Sequence, residues 1–228
     1  MRFLKDIFYL FFPKICTTCS ESLLQSEKII CTACRHDLPI IDFKNYQHNK
    51  VSQIFYGRIP VEKAISFFYF RKKGKIKTLI HHLKYKGNQE IGSLIGNWFG
   101  VLLKESNQFN DVDYIIPVPL HENKLKKRGY NQLATFGKSL ESKLNIPYKK
   151  DILIKVSSTK TQTYKSRLER FNDAKTKFKL TDIHFFENKH VLLIDDVITT
   201  GATLEACCLE LLKTKNIKIS IATIAFTE

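Results

Sequence analysis

A strand, a polar loop and a helix follow one another near the C-terminus, and this segment limits the possible folds more than any other. Its strand, His190 to Ile194, carries apolar side chains without alternation after the first residue, which is typical of a central parallel strand covered on both faces. Asp195 and Asp196 come next, and a loop of threonine and glycine leads into a helix that begins at Ala202 or Thr203. The segment therefore predicts a strand-to-helix unit of an α/β fold.

The loop between the carboxylates and the helix has the character of a phosphate-binding turn. Loop N–H groups and the positive end of the following helix meet at one point, and Gly201 lets the backbone approach a ligand closely. The loop has neither the lysine of a P-loop nor the glycine spacing of a dinucleotide fingerprint. Asp195 and Asp196 can accept hydrogen bonds from vicinal hydroxyls, so the segment suits a sugar phosphate. A simple capped helix after a strand is the alternative, but it requires no adjacent carboxylates.

Strand-like and helical patterns alternate through the main part of the chain. The expected strands cover 64–70, 112–118, 152–156, 190–194 and 217–225, and the expected helices cover 76–83, 91–102, 133–144 and 202–214. This order predicts βαβ units and a three-layer α/β fold with a mostly parallel central sheet. Cys207 and Cys208 fall on the apolar face of the last helix, where free cysteines pack as small hydrophobic residues.

The other four cysteines form two Cys-x2-Cys pairs near the N-terminus, Cys16 with Cys19 and Cys31 with Cys34. This spacing lets each pair present two thiolates to one tetrahedral ion, so we expect a structural zinc site without an open coordination position. The alternatives are a redox pair, which needs a single Cys-x2-Cys, and a disulfide framework, which suits a secreted chain. We therefore divide the chain into a zinc-binding module at 1–45 and a main domain at 46–228.

The apolar segments of the sequence are too short to cross a bilayer. The longest uninterrupted apolar run, Ile7 to Phe12, has six residues, whereas a membrane-spanning helix needs roughly 20. Asp6 precedes this run and no small-residue cleavage site follows it, so it does not match a secretory signal. We expect a cytoplasmic protein with no membrane span.

The chain is strongly basic, with 37 lysine and arginine residues against 22 aspartate and glutamate residues and a formal net charge of +15. Such a charge attracts phosphates, nucleic acid or an anionic surface. It can equally reflect a lysine-rich composition spread over solvated faces, because only seven of the cations are arginine. Seven cations and no acid lie between Arg71 and Lys86, and this one-signed run favours an anionic partner.

Three motifs together resemble a known family. The segment from Asp195 to Thr203 is similar to the loop of type I phosphoribosyltransferases that binds 5-phosphoribosyl-1-pyrophosphate (PRPP). Ile-Ile-Pro-Val-Pro-Leu-His at 115–121, followed by Arg-Gly-Tyr-Asn-Gln at 128–132, resembles the signature of the ComF family, phosphoribosyltransferase-like proteins linked to natural competence. The segment 160–172 is similar to that family's glutamine-containing stretch, with Tyr164 in place of the usual leucine.

The resemblance implies a type I phosphoribosyltransferase-like domain in which Asp195 and Asp196 contact the ribose hydroxyls and act in catalysis. The loop residues that would complete the PRPP site are Val197, Thr199, Thr200, Gly201, Ala202 and Thr203. Mg²⁺ would bridge the pyrophosphate, whose departure needs charge neutralisation. Candidates for holding the pyrophosphate or closing over the site are Lys127, Arg128, Gln162 and Arg170. The segment that contains the last two can also be an ordinary exposed loop.

The resemblance also implies a role in handling single-stranded DNA that enters the cytoplasm during competence. Cations neutralise phosphates and aromatic rings stack on bases. The candidate DNA contacts are Lys72, Lys73, Lys84, Lys86, Lys126, Arg128 and Tyr130. Three functions stay open: PRPP-dependent DNA handling, an active phosphoribosyltransferase with an unidentified acceptor, and a PRPP-sensing regulator without turnover. A competence helicase and other parts of the DNA-uptake machinery are candidate partners.

Overall fold

The computed structural model describes residues 12–42, 45–46, 48–156 and 177–227. The strands in these ranges are β1 Lys63–Phe70, β2 Tyr114–Pro117, β3 Leu153–Val156, β4 Lys177–Leu180, β5 His190–Ile198 and β6 Lys218–Thr227. The helices are α1 Thr32–His36, α2 Lys50–Gln53, α3 Lys75–Tyr85, α4 Glu90–Ser106, α5 Glu122–Arg128, α6 Leu133–Leu144 and α7 Ala202–Leu211. Within the same ranges, no helix combines the length and the apolar character that a bilayer span requires. The order of elements confirms the expected α/β class.

The described residues form a four-stranded parallel sheet in the order β1, β6, β5, β2. β5 and β6 are the inner strands, and every side chain of β5 from Val191 to Ile194 is buried, as the lack of polar alternation predicted. β2 pairs with β5 in register, from Tyr114 opposite Val191 to Pro117 opposite Ile194. Because parallel strands run in one direction, the segments that follow β2 and β5 meet at the same edge of the sheet.

Helices α4 and α6 approach each other closely because glycine lines their contact. A Cβ added to Gly96 would lie 2.6 Å from the carbonyl oxygen of Phe136, so only glycine fits at this point. Phe99 of α4 stacks on Phe67 of β1 with ring centroids 4.9 Å apart, which joins the helix pair to the sheet. The residue just before α6, Gln132, reaches the carboxyl-terminal part of β5.

The cysteine-containing region is attached to the edge of the sheet. The N–H of Ile41 donates to the carbonyl of Phe67 at 3.0 Å, and the N–H of Tyr69 donates to the carbonyl of Pro39 at 2.9 Å. These bonds extend β1 by an antiparallel contact. The two units that we distinguish from the sequence are therefore joined by main-chain hydrogen bonds as well as by the chain between them.

The main differences from the sequence-based expectation concern β3, β5 and four elements that the expectation did not include: β4, α1, α2 and α5. β3 does not join the parallel sheet but forms an antiparallel pair with β4, because a strand of four residues carries too little pattern to specify its partner. β5 runs beyond the expected end at Ile194 to Ile198, so the strand includes both carboxylates. The structure adds α5, which the pattern could not reveal because none of its side chains is buried and it has no apolar periodicity.

Candidate functional site

The site predicted from the sequence lies where β5 passes into α7. β5 continues through Asp195 and Asp196 before it ends at Ile198, so both carboxylates belong to the last part of the strand. Thr199 and Thr200 form an exposed loop, and Gly201 precedes α7 with a φ of +75°. That backbone conformation strains any residue with a Cβ.

The loop and the start of α7 together can bind an anion. The first N–H groups of an α-helix have no partner within the helix, and α7 begins at Ala202. A cleft of about 40 Å³ is bounded by Asp195 and by the residues from Val197 to Leu204. The structure thus brings together all the loop residues that we predicted for the PRPP site, beside one of the two carboxylates.

Arg58 holds this loop, although it belongs to no motif of the sequence analysis. Its guanidinium donates to the carbonyl of Thr200 at 2.9 Å and to the carbonyl of Ile54 at 3.1 Å. It also pairs with Glu205 in the first turn of α7. Arg58 therefore fixes the loop and the helix start to the turn that follows α2.

Gly201→Ala is expected to destabilise the protein. A Cβ at this position would lie 2.7 Å from Ile54 Cγ2 and 3.2 Å from Phe55 Cε1, in addition to the strain of the left-handed backbone. We expect the free energy of unfolding, measured by chemical denaturation, to fall by about 3 kcal/mol. Gly129→Ala is the matched control, because Gly129 has a φ of +79° with open space around its Cβ position. An equal loss in both variants would show that contact with Ile54 is not what requires glycine.

Asp196 is held at both of its carboxylate oxygens. The residue is nearly buried, with 6% of its surface exposed. Its Oδ1 accepts a hydrogen bond from Lys84 Nζ at 2.7 Å, and its Oδ2 accepts one from Gln132 Nε2 at 2.7 Å. Each carboxylate oxygen has two lone pairs, so Asp196 retains acceptor capacity for a ligand hydroxyl in a fixed orientation.

Asp195 is in a different electrostatic state from its neighbour. Desolvation, reinforced by the negative charge of Asp196, raises the pKa of Asp195 to about 8. The N–H of Asp196, which donates to Asp195 Oδ1 at 2.8 Å, and the charges of Lys84 and Lys155 only partly oppose this shift. Asp195 therefore keeps its proton through much of the neutral range and loses it more readily when a cation approaches. The pair offers one fixed carboxylate and one whose charge adjusts to the ligand.

A cleft lined by cations adjoins Asp196, and we call it the basic cleft. Its volume is about 370 Å³, and the residues that line it are Lys84, Tyr85, Gly87, Lys124, Lys127, Arg128 and Tyr130. This described lining contains no acidic side chain. Arg128 lies over the ring of Tyr85 at 5.2 Å from its centroid, and the hydroxyl of Tyr130 donates to the carbonyl of Leu83. Helix α3 and the α5 region therefore form opposite sides of the cleft.

The candidate DNA contacts fall into two groups. One group lines the basic cleft or adjoins a lining residue in the chain: Lys84, Lys86, Lys126, Arg128 and Tyr130. Lys72 and Lys73 lie in the turn before α3, at the opposite end of a helix of 11 residues, which is about 16 Å long. The one-signed run of cations is therefore not a single surface patch. Gln162 and Arg170, the other pyrophosphate or flap candidates, lie outside the described residues.

The four N-terminal cysteines converge, as their spacing predicted. Their Sγ atoms all lie within 4.8 Å of one another: Cys16, Cys19, Cys31 and Cys34. Cys16 Sγ accepts the N–H of Cys31 at 3.3 Å, and Cys31 Sγ accepts the N–H of Cys34 at 3.4 Å. Sulfurs around a tetrahedral zinc ion stand about 3.8 Å apart, so this cluster could hold a metal ion. Cys207 and Cys208 are fully buried in α7, as expected for core residues.

Solved structures that resemble this chain include phosphoribosyltransferases. Glutamine PRPP amidotransferase from Bacillus subtilis matches with a TM-score of 0.42 and 19% identity, over 62% of this chain and 30% of that chain. Adenine phosphoribosyltransferase from Saccharomyces cerevisiae matches with a TM-score of 0.38 and 16% identity, over 69% of this chain and 75% of that chain.

Sequence comparison gives a matching domain and several relatives. The phosphoribosyl transferase domain matches residues 134–227. Competence protein F of Haemophilus influenzae is 38% identical over 102 residues, and the match spans only 44% of this chain and 44% of that relative. Competence protein ComFC of Bacillus subtilis is 30% identical over 59% of this chain and 54% of that one. DNA utilization protein YhgH of Escherichia coli is 24% identical over 83% of this chain and 80% of that one. The chain is thus similar to the phosphoribosyl transferase domain over residues 134–227 and to competence proteins of the ComF type over about half of its length.

Proposed function

We propose that this protein binds PRPP and acts in the handling of single-stranded DNA that enters the cytoplasm during natural competence. The observation that carries the PRPP part is the junction of β5 and α7, where Asp195 and Asp196 stand beside an anion-binding loop that requires Gly201. The DNA part is supported by the basic cleft and by the names of the relatives, a competence protein and a DNA utilization protein.

In this proposal, the 5-phosphate of PRPP binds the loop and the ribose hydroxyls bind the carboxylates. The N–H groups at the start of α7 donate to phosphate oxygens, which the helix dipole also attracts. Asp196 accepts a ribose hydroxyl with the lone pairs that Lys84 and Gln132 leave available. Asp195 accepts the second hydroxyl, and it can adjust its charge to the bound ligand.

Both proposed metal sites fit the donor atoms of this chain. Mg²⁺ prefers oxygen ligands, which Asp195 and Asp196 provide, and it would supply charge neutralisation to the pyrophosphate. Lys127 and Arg128 of the basic cleft would add further positive charge near the pyrophosphate. Zn²⁺ would occupy the cysteine cluster as a structural ion, because four thiolates leave no open coordination position.

Calorimetric titration of the full chain with PRPP and Mg²⁺ tests the PRPP part. We expect a saturable heat and a rise in Tm, because a ligand that binds only the folded state stabilises it. Neither a heat nor a Tm shift at millimolar PRPP would contradict the proposal.

A second candidate function is transfer of the phosphoribosyl group to an acceptor. The observation that favours it is the position of Tyr85 and Tyr130, which line a cleft of about 370 Å³ next to Lys84 and the carboxylate it contacts. A flat acceptor could stack there. A pyrophosphate-release assay with a panel of bases and oligonucleotides separates the two functions. Release that depends on an acceptor identifies a transferase, whereas binding without release supports the DNA-handling protein or a PRPP-sensing regulator.

We expect Lys126→Glu/Arg128→Glu to weaken binding of single-stranded DNA by at least about tenfold. Each lost phosphate contact also lowers the slope of log affinity against log salt by roughly 0.7. Fluorescence anisotropy with labelled oligothymidylate at several salt concentrations measures both effects.

Lys72→Glu/Lys73→Glu is the matched comparison for this experiment, because it makes the same charge change at the far end of α3. It should weaken binding less than the change at the basic cleft. Binding that is absent, independent of salt or equally sensitive to both variants would argue against the cleft as the DNA site.

A further inference from the structure

The basic cleft and the carboxylate pair share their charged groups. Lys84 lines the cleft and also donates to Asp196 Oδ1 at 2.7 Å. Arg128 lines the cleft and donates to Gln132 Oε1, and Gln132 Nε2 donates to Asp196 Oδ2 at 2.7 Å. Lys84 therefore holds one oxygen of the Asp196 carboxylate directly, and Arg128 holds the other oxygen through Gln132.

The cleft has a strong preference for an anion. Four of its lining residues are cations, and they come from two different helices: Lys84, Lys124, Lys127 and Arg128. Like charges around a concave surface repel one another and attract an anion. The side chain of Lys84 is 22% exposed, so its ammonium group lies at the boundary between the cleft and the nearly buried Asp196.

We propose that a phosphate group bound in the basic cleft and a sugar phosphate bound at the carboxylate pair strengthen each other's binding through Lys84. This inference rests on the proposed function. A phosphate in the cleft attracts the ammonium of Lys84 away from Asp196, which leaves Oδ1 with a free lone pair and less compensated charge. Asp196 then accepts a ribose hydroxyl more strongly. In the other direction, a ligand on Asp196 releases Lys84 to the cleft, and linkage makes the two effects equal.

The cleft phosphate could belong to a nucleic-acid backbone or to pyrophosphate, because both present the same oxygen atoms. PRPP cannot distinguish them, since it carries the sugar phosphate and the pyrophosphate in one molecule. Ribose 5-phosphate can, because it lacks the pyrophosphate and leaves the cleft free for a second ligand.

The test is a calorimetric Kd for ribose 5-phosphate in the presence of Mg²⁺, measured alone, with saturating oligothymidylate, and with saturating pyrophosphate. We expect at least one second ligand to tighten the Kd by about tenfold, which lies within the usual range of coupling between sites. Tightening by oligothymidylate assigns the cleft phosphate to a DNA backbone, and tightening by pyrophosphate alone assigns it to the leaving group. A Kd that is unchanged or weakened by both ligands overturns the proposal.

Lys84→Met should abolish the coupling while each ligand still binds with reduced affinity. Lys77→Met is the matched control, because it removes the same charge at an exposed position of α3, two turns before Lys84, and should preserve the coupling. Arg128→Met breaks the second link to Asp196 and should lower the coupling factor in part, which provides a test even if Lys84→Met does not fold. Undiminished coupling in Lys84→Met, or in Arg128→Met where that variant alone folds, overturns the proposal.

Failure of this coupling is distinguishable from failure of the proposed function. If wild-type protein binds neither ribose 5-phosphate nor PRPP, the proposed function fails and the coupling fails with it. If ribose 5-phosphate binds, and neither oligothymidylate nor pyrophosphate changes its affinity, only the coupling is wrong.

Discussion

Asp195→Asn/Asp196→Asn should weaken binding of Mg²⁺ and PRPP by at least about 100-fold. The double substitution keeps the size of both side chains. It removes the negative charge of Asp196 and the capacity of Asp195 to ionise when magnesium approaches. Hydrogen bonds to a charged group contribute about 1.5–3 kcal/mol each, and two such losses correspond to a factor of about 100 or more in Kd. Calorimetric titration measures this loss directly.

Asp151→Asn is the control for the double variant, because it makes the same chemical change at an exposed position before β3. Tm values are needed for all variants, since Asp196→Asn also removes the counter-charge of Lys84. We expect Asp196→Asn alone to destabilise more than Asp195→Asn alone. Asp196 binds two side chains in the fold, whereas Asp195 holds a proton in the neutral range. Wild-type affinity in the double variant would exclude these carboxylates from the PRPP site.

The sequence predicts the junction of β5 and α7 well because its determinants are local. An uninterrupted apolar strand, two adjacent carboxylates and a glycine before a helix lie within 14 residues of each other, from Val191 to Leu204. Each of these features restricts the backbone or the burial of its own segment. The two Cys-x2-Cys pairs are equally local, and the structure brings their four Sγ atoms together.

The groups that fix the site come from distant parts of the chain, which is why local patterns miss them. Arg58 contacts Thr200 across 142 residues, Lys84 contacts Asp196 across 112, and Gln132 contacts the same carboxylate across 64. Gln132 was visible as the last residue of the Arg-Gly-Tyr-Asn-Gln motif, but only the fold shows what it binds. Lys84 appeared in the sequence as one of seven similar cations. In the described structure, its contact with Asp196 and its place in the lining of the basic cleft distinguish it from the other six.

Removal of the proposed zinc ion should destabilise the main domain as well as the cysteine region. Cys16 and Cys34 are 1% and 3% exposed and belong to the same hydrophobic core as the sheet. Without an ion, these buried thiols lose the bonds that hold them together. We expect a chelator to lower the Tm by at least about 10 °C, given the large share of folding free energy that structural zinc provides. Differential scanning calorimetry measures this shift.

The same treatment should also weaken binding of ribose 5-phosphate, because α3 connects the two sites. Lys75 at its start donates to Asp37, three residues after Cys34, at 2.8 Å, and Lys84 near its end donates to Asp196 at 2.7 Å. A shift of α3 at the cysteine end would therefore move the ammonium group that holds the carboxylate.

Cys34→Ser and Cys208→Ser separate metal binding from cysteine packing. Both cysteines are buried, so both variants should lose stability, but only Cys34→Ser removes a proposed ligand. Elemental analysis of the reduced proteins should find about one zinc ion per chain in the wild type and in Cys208→Ser, and far less in Cys34→Ser. Equal zinc content in the two variants, or an unchanged Tm after chelation, would contradict a structural zinc site. In that case the convergence of the four cysteines would require another explanation, and the link through α3 from this cluster to Asp196 would have no metal-dependent role.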